Sequence, residues 1–500
     1  MTMLPNSTPR PLVIAAQCAI ALLVAPLLWA AGRSSVEVGI QFGCWAALFL
    51  LVWSFASWWL MRRTLFEPYP AFLLAAFLFN TGHAVLDIFG ANAKGFLFDR
   101  VGREEIYLAL LLVIVSLSWL HLGALIAVSR RGARRLSAAA RARSGFAARM
   151  VGAVLLAICW YPAFLTLKTT LTRSLTAGYM STYQQDFATG VGAGADVLAA
   201  FLVPAALFLL AGSVRQPAMR LIPVGIIGLV VFTNLAIGAR ITAVMALFAL
   251  AWQWHHTVRR IQLQWLVVAG LTMMFVVFPV VRGVRDGSGS DRYSVTALTD
   301  SFRAIENPVV EIVSEMGFSM STVAYTLELV PERRSFDYGV SYGYAVLAVI
   351  PNIFWSLHPT VAHGLAADWL IWEVDPSNAA RQVGLGYSFI AEAYLNFGWF
   401  GAPLVMLVVG FGVVSLTRWA TEYDDPVRFA AVAAFMTFFL RFPRGESAGV
   451  IRPLIWYGLL PYLSVRLIDH FRHSQQSIRQ RVVDRKMPTG VDLEAEAYLR

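Results

Sequence analysis

Long apolar runs separated by short polar breaks dominate the chain. They cover residues 12–31, 38–60, 70–90, 106–129, 150–167, 194–212, 220–238, 241–256, 263–281, 397–417, 427–441 and 450–468. A helix needs about 20 mostly apolar residues to cross the hydrocarbon core of a membrane, so the pattern predicts an all-α, polytopic bundle of about twelve spans. One break is of a different order, since residues 282–396 form a connection of over a hundred residues. It divides the chain into nine spans (1–281), a large loop (282–396), three further spans (397–468) and a polar tail (469–500). Inside the loop, 309–330 has helical spacing, whereas 342–357 is apolar, aromatic and interrupted by Pro351 and Asn352. The second of these is expected to lie at the membrane interface or fold back into the bundle.

Composition agrees with the pattern: 58% of residues are hydrophobic and 14% charged, against roughly 25% charged in soluble domains. The first run has little positive charge before it and is followed at once by further spans, so it reads as a retained span and not as a cleaved signal. The net charge of +10 does not point to nucleic acid, because residues 130–149 alone hold seven arginines and no acid. Arginine-rich short loops stay in the cytoplasm. Counting from that loop puts both termini in the cytoplasm and the large loop, with seven arginines against thirteen acids, outside. The loop around 418–428, where Glu422, Asp424 and Asp425 outweigh Arg418 and Arg428, fits least well. The Arg/Ala stretch 130–149 and the tail after His470 are expected to be mobile.

Cys18, Cys44 and Cys159 all fall within predicted spans, which argues against a disulfide framework or a thiolate metal site. No HExxH or P-loop motif occurs, so neither a metal nor a nucleotide cofactor is expected.

The candidate chemistry gathers on the outer side. Arg240 sits in the tight turn after Gly238, Arg282 and Arg285 open the large loop, and Arg441, Arg444 and Arg452 surround the turn RFPRGESAGVIRP. The positive-inside rule disfavours arginines there, and Arg240 and Arg452 fall near helix starts, whose dipole is already positive. An anion would relieve both conflicts, and guanidinium groups bind phosphate oxygens in pairs. The cluster therefore suits a lipid-linked diphosphate, although arginines at this depth also snorkel to lipid phosphates. Proton-transfer candidates are His358, His363, Asp368, Glu373, Asp375 and Glu392; spacing does not choose among them. Asn80, His83 and Asp87 share one face of the third span, either as a polar pathway or as an interhelical hydrogen-bond cluster. Ser388, Glu392 and Asn396 recur every four residues between flanking glycines, giving one polar helix face.

The segment GLGYSFIAEAYLNFGWFGAPLV, 384–405, resembles the end of the large external loop in bacterial O-antigen and oligosaccharide repeat-unit polymerases of the Wzy type. Span number, loop position and Arg240 two residues after Gly238 resemble that family as well. The resemblance implies a GT-C-like bundle in the bacterial inner membrane and an inverting, metal-independent glycosyltransferase using undecaprenyl-diphosphate-linked oligosaccharides. Arg240, Arg282, Arg285, Arg441, Arg444 and Arg452 would hold the diphosphate, and Glu392 or His363 would activate the acceptor hydroxyl. Membrane lipids, a chain-length regulator and a flippase of the same pathway are the implied partners. Some relatives carry an arginine and a glycine separated by ten intervening residues in two external loops, a spacing absent from 282–396. A ligase that passes finished polymer to another acceptor shares the same donor and face. A transporter of lipid-linked sugars would instead be expected to show internal duplication and charges at mid-membrane.

Overall fold

Continuous apolar sequence folds in lipid only where the backbone satisfies its own hydrogen bonds, and here the answer is helix throughout. The computed structural model describes residues 10–129, 138–182, 191–281, 307–352 and 355–486, with residues 296 and 299. Among these, all regular structure is helical. The first half contains α1 (Arg10–Ser34), α2 (Val36–Arg62), α3 (Pro68–Ile88), α4 (Arg103–Ser129), α5 (Ala138–Ala177), α6 (Val191–Ala199) and α7 (Leu202–Gly212). It continues through α8 (Pro217–Ile237), α9 (Arg240–Thr257) and α10 (Leu263–Thr272), the last extended by a wider turn to Val281.

Short helices follow: α11 (Pro308–Gly317), α12 (Met320–Leu329), α13 (Val340–Leu347), α14 (Pro359–His363), α15 (Ala366–Val374) and α16 (Pro376–Ala380). The chain ends with α17 (Phe389–Thr421), α18 (Pro426–Phe439), α19 (Ala448–Pro453) and α20 (Leu460–Lys486). Among the described residues, eleven helices are long and apolar enough to cross a membrane. The remaining predicted run, 241–256, is α9. With Arg240 at one end and Gln253, His255 and His256 at the other, it is less apolar than those eleven.

Helix extends into both charged stretches. Residues 138–149 of the Arg/Ala stretch begin α5, as the high helix propensity of both residue types favours, and α20 carries the tail on to Lys486. The acids of 418–428 are largely answered within the fold. Glu422 pairs with Arg418 and Asp425 with Arg466, while Asp425 also caps α18 through the Val427 N–H at 3.1 Å.

The centre of the bundle is the crossing of α4 and α17. α4 is apolar all round and buried along most of its length, as expected of a helix enclosed by others. A side chain at Gly123 would collide with the Leu407 carbonyl, and one at Gly410 with the Leu120 carbonyl. Only glycine lets the two backbones meet this closely. On the far side of α3, Gly82 lies against the Val313 carbonyl of α11. The segment between α10 and α17 is thereby docked onto one end of the bundle.

Candidate functional site

The site is organised by the polar face at the start of α17. Ser388 caps this helix, accepting from the Ile390 N–H at 3.2 Å. Its hydroxyl donates to Asn80 Oδ1 of α3 at 2.7 Å, and Asn80 in turn donates to the Pro443 carbonyl at 3.2 Å. One turn on, Glu392 is buried and accepts three hydrogen bonds. They come from the Ser447 N–H (2.7 Å), the Ser447 hydroxyl (2.6 Å) and the Ser341 hydroxyl of α13 (3.0 Å). A further turn on, Asn396 accepts from the Gly339 N–H at 2.8 Å and donates to Ser341 Oγ at 2.7 Å. The four-residue repeat in the sequence is thus a seam that joins α3, α13 and the turn 441–447 to α17. It ends at Gly398, whose φ of 63° breaks the helix at a conformation that favours glycine.

On the α3 stripe, Asn80 and His83 bond to distant elements, whereas Asp87 bonds locally. His83 Nδ1 accepts from the Leu97 N–H at 3.2 Å, which leaves Nε2 as the donor to the Ser314 carbonyl at 3.0 Å. Asp87 accepts from Asn92 at 3.3 Å. His83 thereby fixes α11, whose next residue, Glu315, reaches into the arginine group.

Arg240, the first residue of α9, gives its guanidinium to both oxygens of Glu315, at 2.9 and 3.2 Å. The Phe278 ring lies 5.8 Å from its charged centre. Arg441 donates to Thr242, two residues along α9. Arg444, on the same turn as Arg441, lies 5.8 Å from the Phe79 ring and close against Gly386. A Cβ at Gly386 would stand 3.3 Å from Arg444 Nε, and its φ of 76° is again one that glycine adopts readily. Arg240, Arg441 and Arg444 are therefore brought to one end of the bundle. Arg452 instead stacks over Trp456 at 4.8 Å, and Arg282 and Arg285 lie outside the described residues.

Two hollows flank the seam. An apolar cavity of about 610 Å³ runs along α17 beside Gly401, Val405 and Val409, and Phe442, Ser447 and Tyr342 also line it. On the other side, Arg334, Asp337, Tyr344, His363 and Glu446 line a narrow polar cleft. His363 packs on Tyr344 with ring centroids 4.2 Å apart, and its Nδ1 lies 3.0 Å from the Gly364 carbonyl. Its Nε2 makes no hydrogen bond among the described residues. His358, by contrast, is used within its loop, capping α14 through the Thr360 N–H at 3.1 Å.

Glu446 is the residue that reading the sequence for arginines passed over. Its two oxygens accept from the N–H groups of Ala366 (3.1 Å) and Ala367 (3.4 Å) at the start of α15. Burial, with the Glu392 carboxylate nearby, pushes it up to about 7. The available signal was a lone acid two residues after Arg444, in a turn otherwise basic. Glu315, the partner of Arg240, gave no local signal, because it is 75 residues away in the chain.

A family model described as O-antigen polysaccharide polymerase Wzy matches residues 18–473, a span that takes in every residue of this site. The chain belongs to that family. It is accordingly a multi-pass membrane protein with a polysaccharide polymerase role. No curated protein and no solved structure matches it.

Proposed function

We propose that this polymerase joins undecaprenyl-diphosphate-linked oligosaccharide repeat units at the periplasmic face of the inner membrane, with both termini in the cytoplasm. The observation that carries the reading is the gathering of Arg240, Arg441 and Arg444 beside two buried carboxylates, where the polar segment 307–388 meets the apolar bundle. The arginine-rich stretch 130–149 supports the orientation.

In the proposed reaction, the acceptor hydroxyl oxygen attacks the anomeric carbon of the growing chain from the face opposite its diphosphate. The bond from that carbon to the phosphate oxygen breaks, its electron pair leaves with the diphosphate, and the configuration inverts. Guanidinium groups oppose the charge growing on the leaving oxygens, the role a divalent cation plays in other diphosphate chemistry, so the transfer is proposed to need no metal. Of the two residues expected to take the proton, His363 has an open ring nitrogen in a cleft. Glu392 has its oxygens committed to three donors. His363 is therefore assigned the proton, and Glu392 the positioning of the turn that carries Arg441 and Arg444.

The test is a gel of surface polysaccharide from a strain lacking the gene, complemented with wild type, Arg240→Ala, Arg444→Ala and His363→Ala. Collapse of the ladder to a single repeat, unrescued by the variants, is expected. Polymer accumulating on the lipid carrier without reaching its final acceptor would indicate a ligase. An unchanged ladder would overturn the glycosyltransfer reading.

A further inference from the structure

Two tasks of the proposed transfer stand on separate pieces of chain. Arg441 and Arg444, which would meet the leaving diphosphate, sit on the turn 441–447, whereas His363 ends α14. Their offset decides whether the acceptor hydroxyl lies in line with the bond that breaks, and a misplacement of about 1 Å costs up to about a hundredfold in rate.

α15, the helix that follows His363, carries a local anomaly. Its neighbours in the chain are capped by their own side chains, α14 by His358 and α16 by Asp375. α15 starts after Leu365, whose side chain has no acceptor to offer the orphan N–H groups of the first turn. The missing acceptor comes from the arginine turn. Glu446 takes the Ala366 N–H on Oε2 at 3.1 Å and the Ala367 N–H on Oε1 at 3.4 Å, and a carboxylate is the charge that this end of a helix favours. The His363 loop is also tied to α13, where the Thr360 hydroxyl donates to the Tyr344 carbonyl at 3.0 Å and the Tyr344 ring lies against His363.

Resting on the polymerase reading and its assignment of the proton to His363, we propose that Glu446 is a positioning residue. By capping α15 from the turn, it holds the loop that carries His363 at a fixed offset from Arg441 and Arg444. A cap built into α15 itself would satisfy the same N–H groups and leave loop and turn to move independently. The borrowed cap joins them, while the next residue, Ser447, gives its N–H to Glu392 and so anchors the same turn to α17. Proton acceptor and leaving-group cations are thereby referred to one frame.

The test is steady-state polymerisation by the full chain in nanodiscs with purified lipid-linked repeat unit. It is read together with the thermal unfolding midpoint and with amide hydrogen exchange over 359–374. Glu446→Ala is expected to lower the midpoint, to lower kcat at least tenfold and to leave KM within about twofold, because the arginines keep their own contacts. Adding Leu365→Ser gives α15 its own cap, at a residue whose φ of −90° and ψ of 152° already suit one. The double variant is expected to regain most of the midpoint while kcat stays down at least tenfold, with exchange over 359–364 at least about fivefold faster than in the wild type. Glu446→Gln keeps an acceptor for the Ala366 N–H, and kcat is expected to return to within about threefold of wild type.

Recovery of kcat along with the midpoint in the double variant would show that Glu446 only caps a helix, and would overturn the proposal. If the double variant stays unstable, Glu446→Asp decides. It keeps the charge with a reach one methylene shorter, so kcat should fall about tenfold, and a wild-type kcat would overturn the proposal equally. Wild type that makes no polymer, or His363→Ala with full activity, sinks the reading on which this rests. Exchange then judges the clamp alone: faster exchange over 359–364 without Glu446 keeps it, and wild-type exchange ends it.

Discussion

If Glu392 positions the turn and does not itself take a proton, its two simplest substitutions should part company. In Glu392→Ala the Ser447 N–H and hydroxyl and the Ser341 hydroxyl lose their acceptor inside a buried seam. Hydrogen bonds to a charged group contribute about 1.5–3 kcal/mol each, and a buried donor left unpaired costs about 1–3 kcal/mol. The two hydroxyls can turn toward other acceptors, so the backbone N–H and the lost charge dominate, for a total of about 3–5 kcal/mol. The turn carrying Arg441 and Arg444 should loosen and polymerisation should fail. Glu392→Gln can keep its amide oxygen on the Ser447 N–H and offer its NH2 to the two hydroxyls, which accept as well as donate. Its cost should be about 1 kcal/mol. The assay is thermal unfolding of the purified protein in detergent alongside the polysaccharide ladder of complemented cells. Expected are a lowered midpoint and lost ladder for alanine, and a near-native midpoint with a largely restored ladder for glutamine. A stable Glu392→Gln protein that makes no polymer would refute the positioning role and return the proton to Glu392.

Four further outcomes follow from the same geometry. Arg240→Ala should raise KM for the lipid-linked unit about tenfold, equivalent to about 1.4 kcal/mol. Glu315→Gln should lower KM, because Arg240 no longer leaves an ion pair to meet the diphosphate; unchanged kinetics in both would put the diphosphate elsewhere. Glu446 ionises at about 7 in the fold against 4.5 ordinarily. Between those values the unfolded chain has released this proton and the folded one still holds it, so stability falls as pH rises through that window. Glu446→Gln should flatten this part of the curve of unfolding midpoint against pH, and curves that stay parallel would contradict the assignment. His83→Ala strands the Leu97 N–H and the Ser314 carbonyl, and should destabilise by about 2–4 kcal/mol. A wild-type midpoint for that variant would show that α11 is held by packing alone.

The spans were legible because lipid removes every option but helix, and the repeat at Ser388, Glu392 and Asn396 was legible because a helix face is a local pattern. The Asn80 and His83 stripe was equally visible, but only the partners, Ser388, Pro443 and Ser314, decide between pathway and glue. Those partners lie hundreds of positions away in the chain. The helix in 138–149 and in the tail was not foreseen, although arginine and alanine are good helix formers that only need an adjoining span to extend. Glu446 was in view within the quoted turn, yet its weight comes from burial and from the start of α15, neither of which spacing encodes.

The partners of the arginines bear on turnover as well as on binding. Bringing Arg240, Arg441 and Arg444 to one end of a bundle, with Arg240 opening a helix, concentrates positive charge where the dipole opposes it. In the resting protein that charge is met by Glu315 at Arg240 and by Thr242 at Arg441. A diphosphate arriving there exchanges one set of contacts for another, so net affinity is the difference between two favourable terms, well below the sum of its own hydrogen bonds. That suits an enzyme that must release a diphosphate carrier after each addition. An arginine group with no resting carboxylate would hold the spent carrier longest, and Glu315, as a built-in competitor, limits this. On this reasoning Glu315→Gln should bind the lipid diphosphate more tightly and yet turn over more slowly, a combination that a purely structural ion pair would not produce.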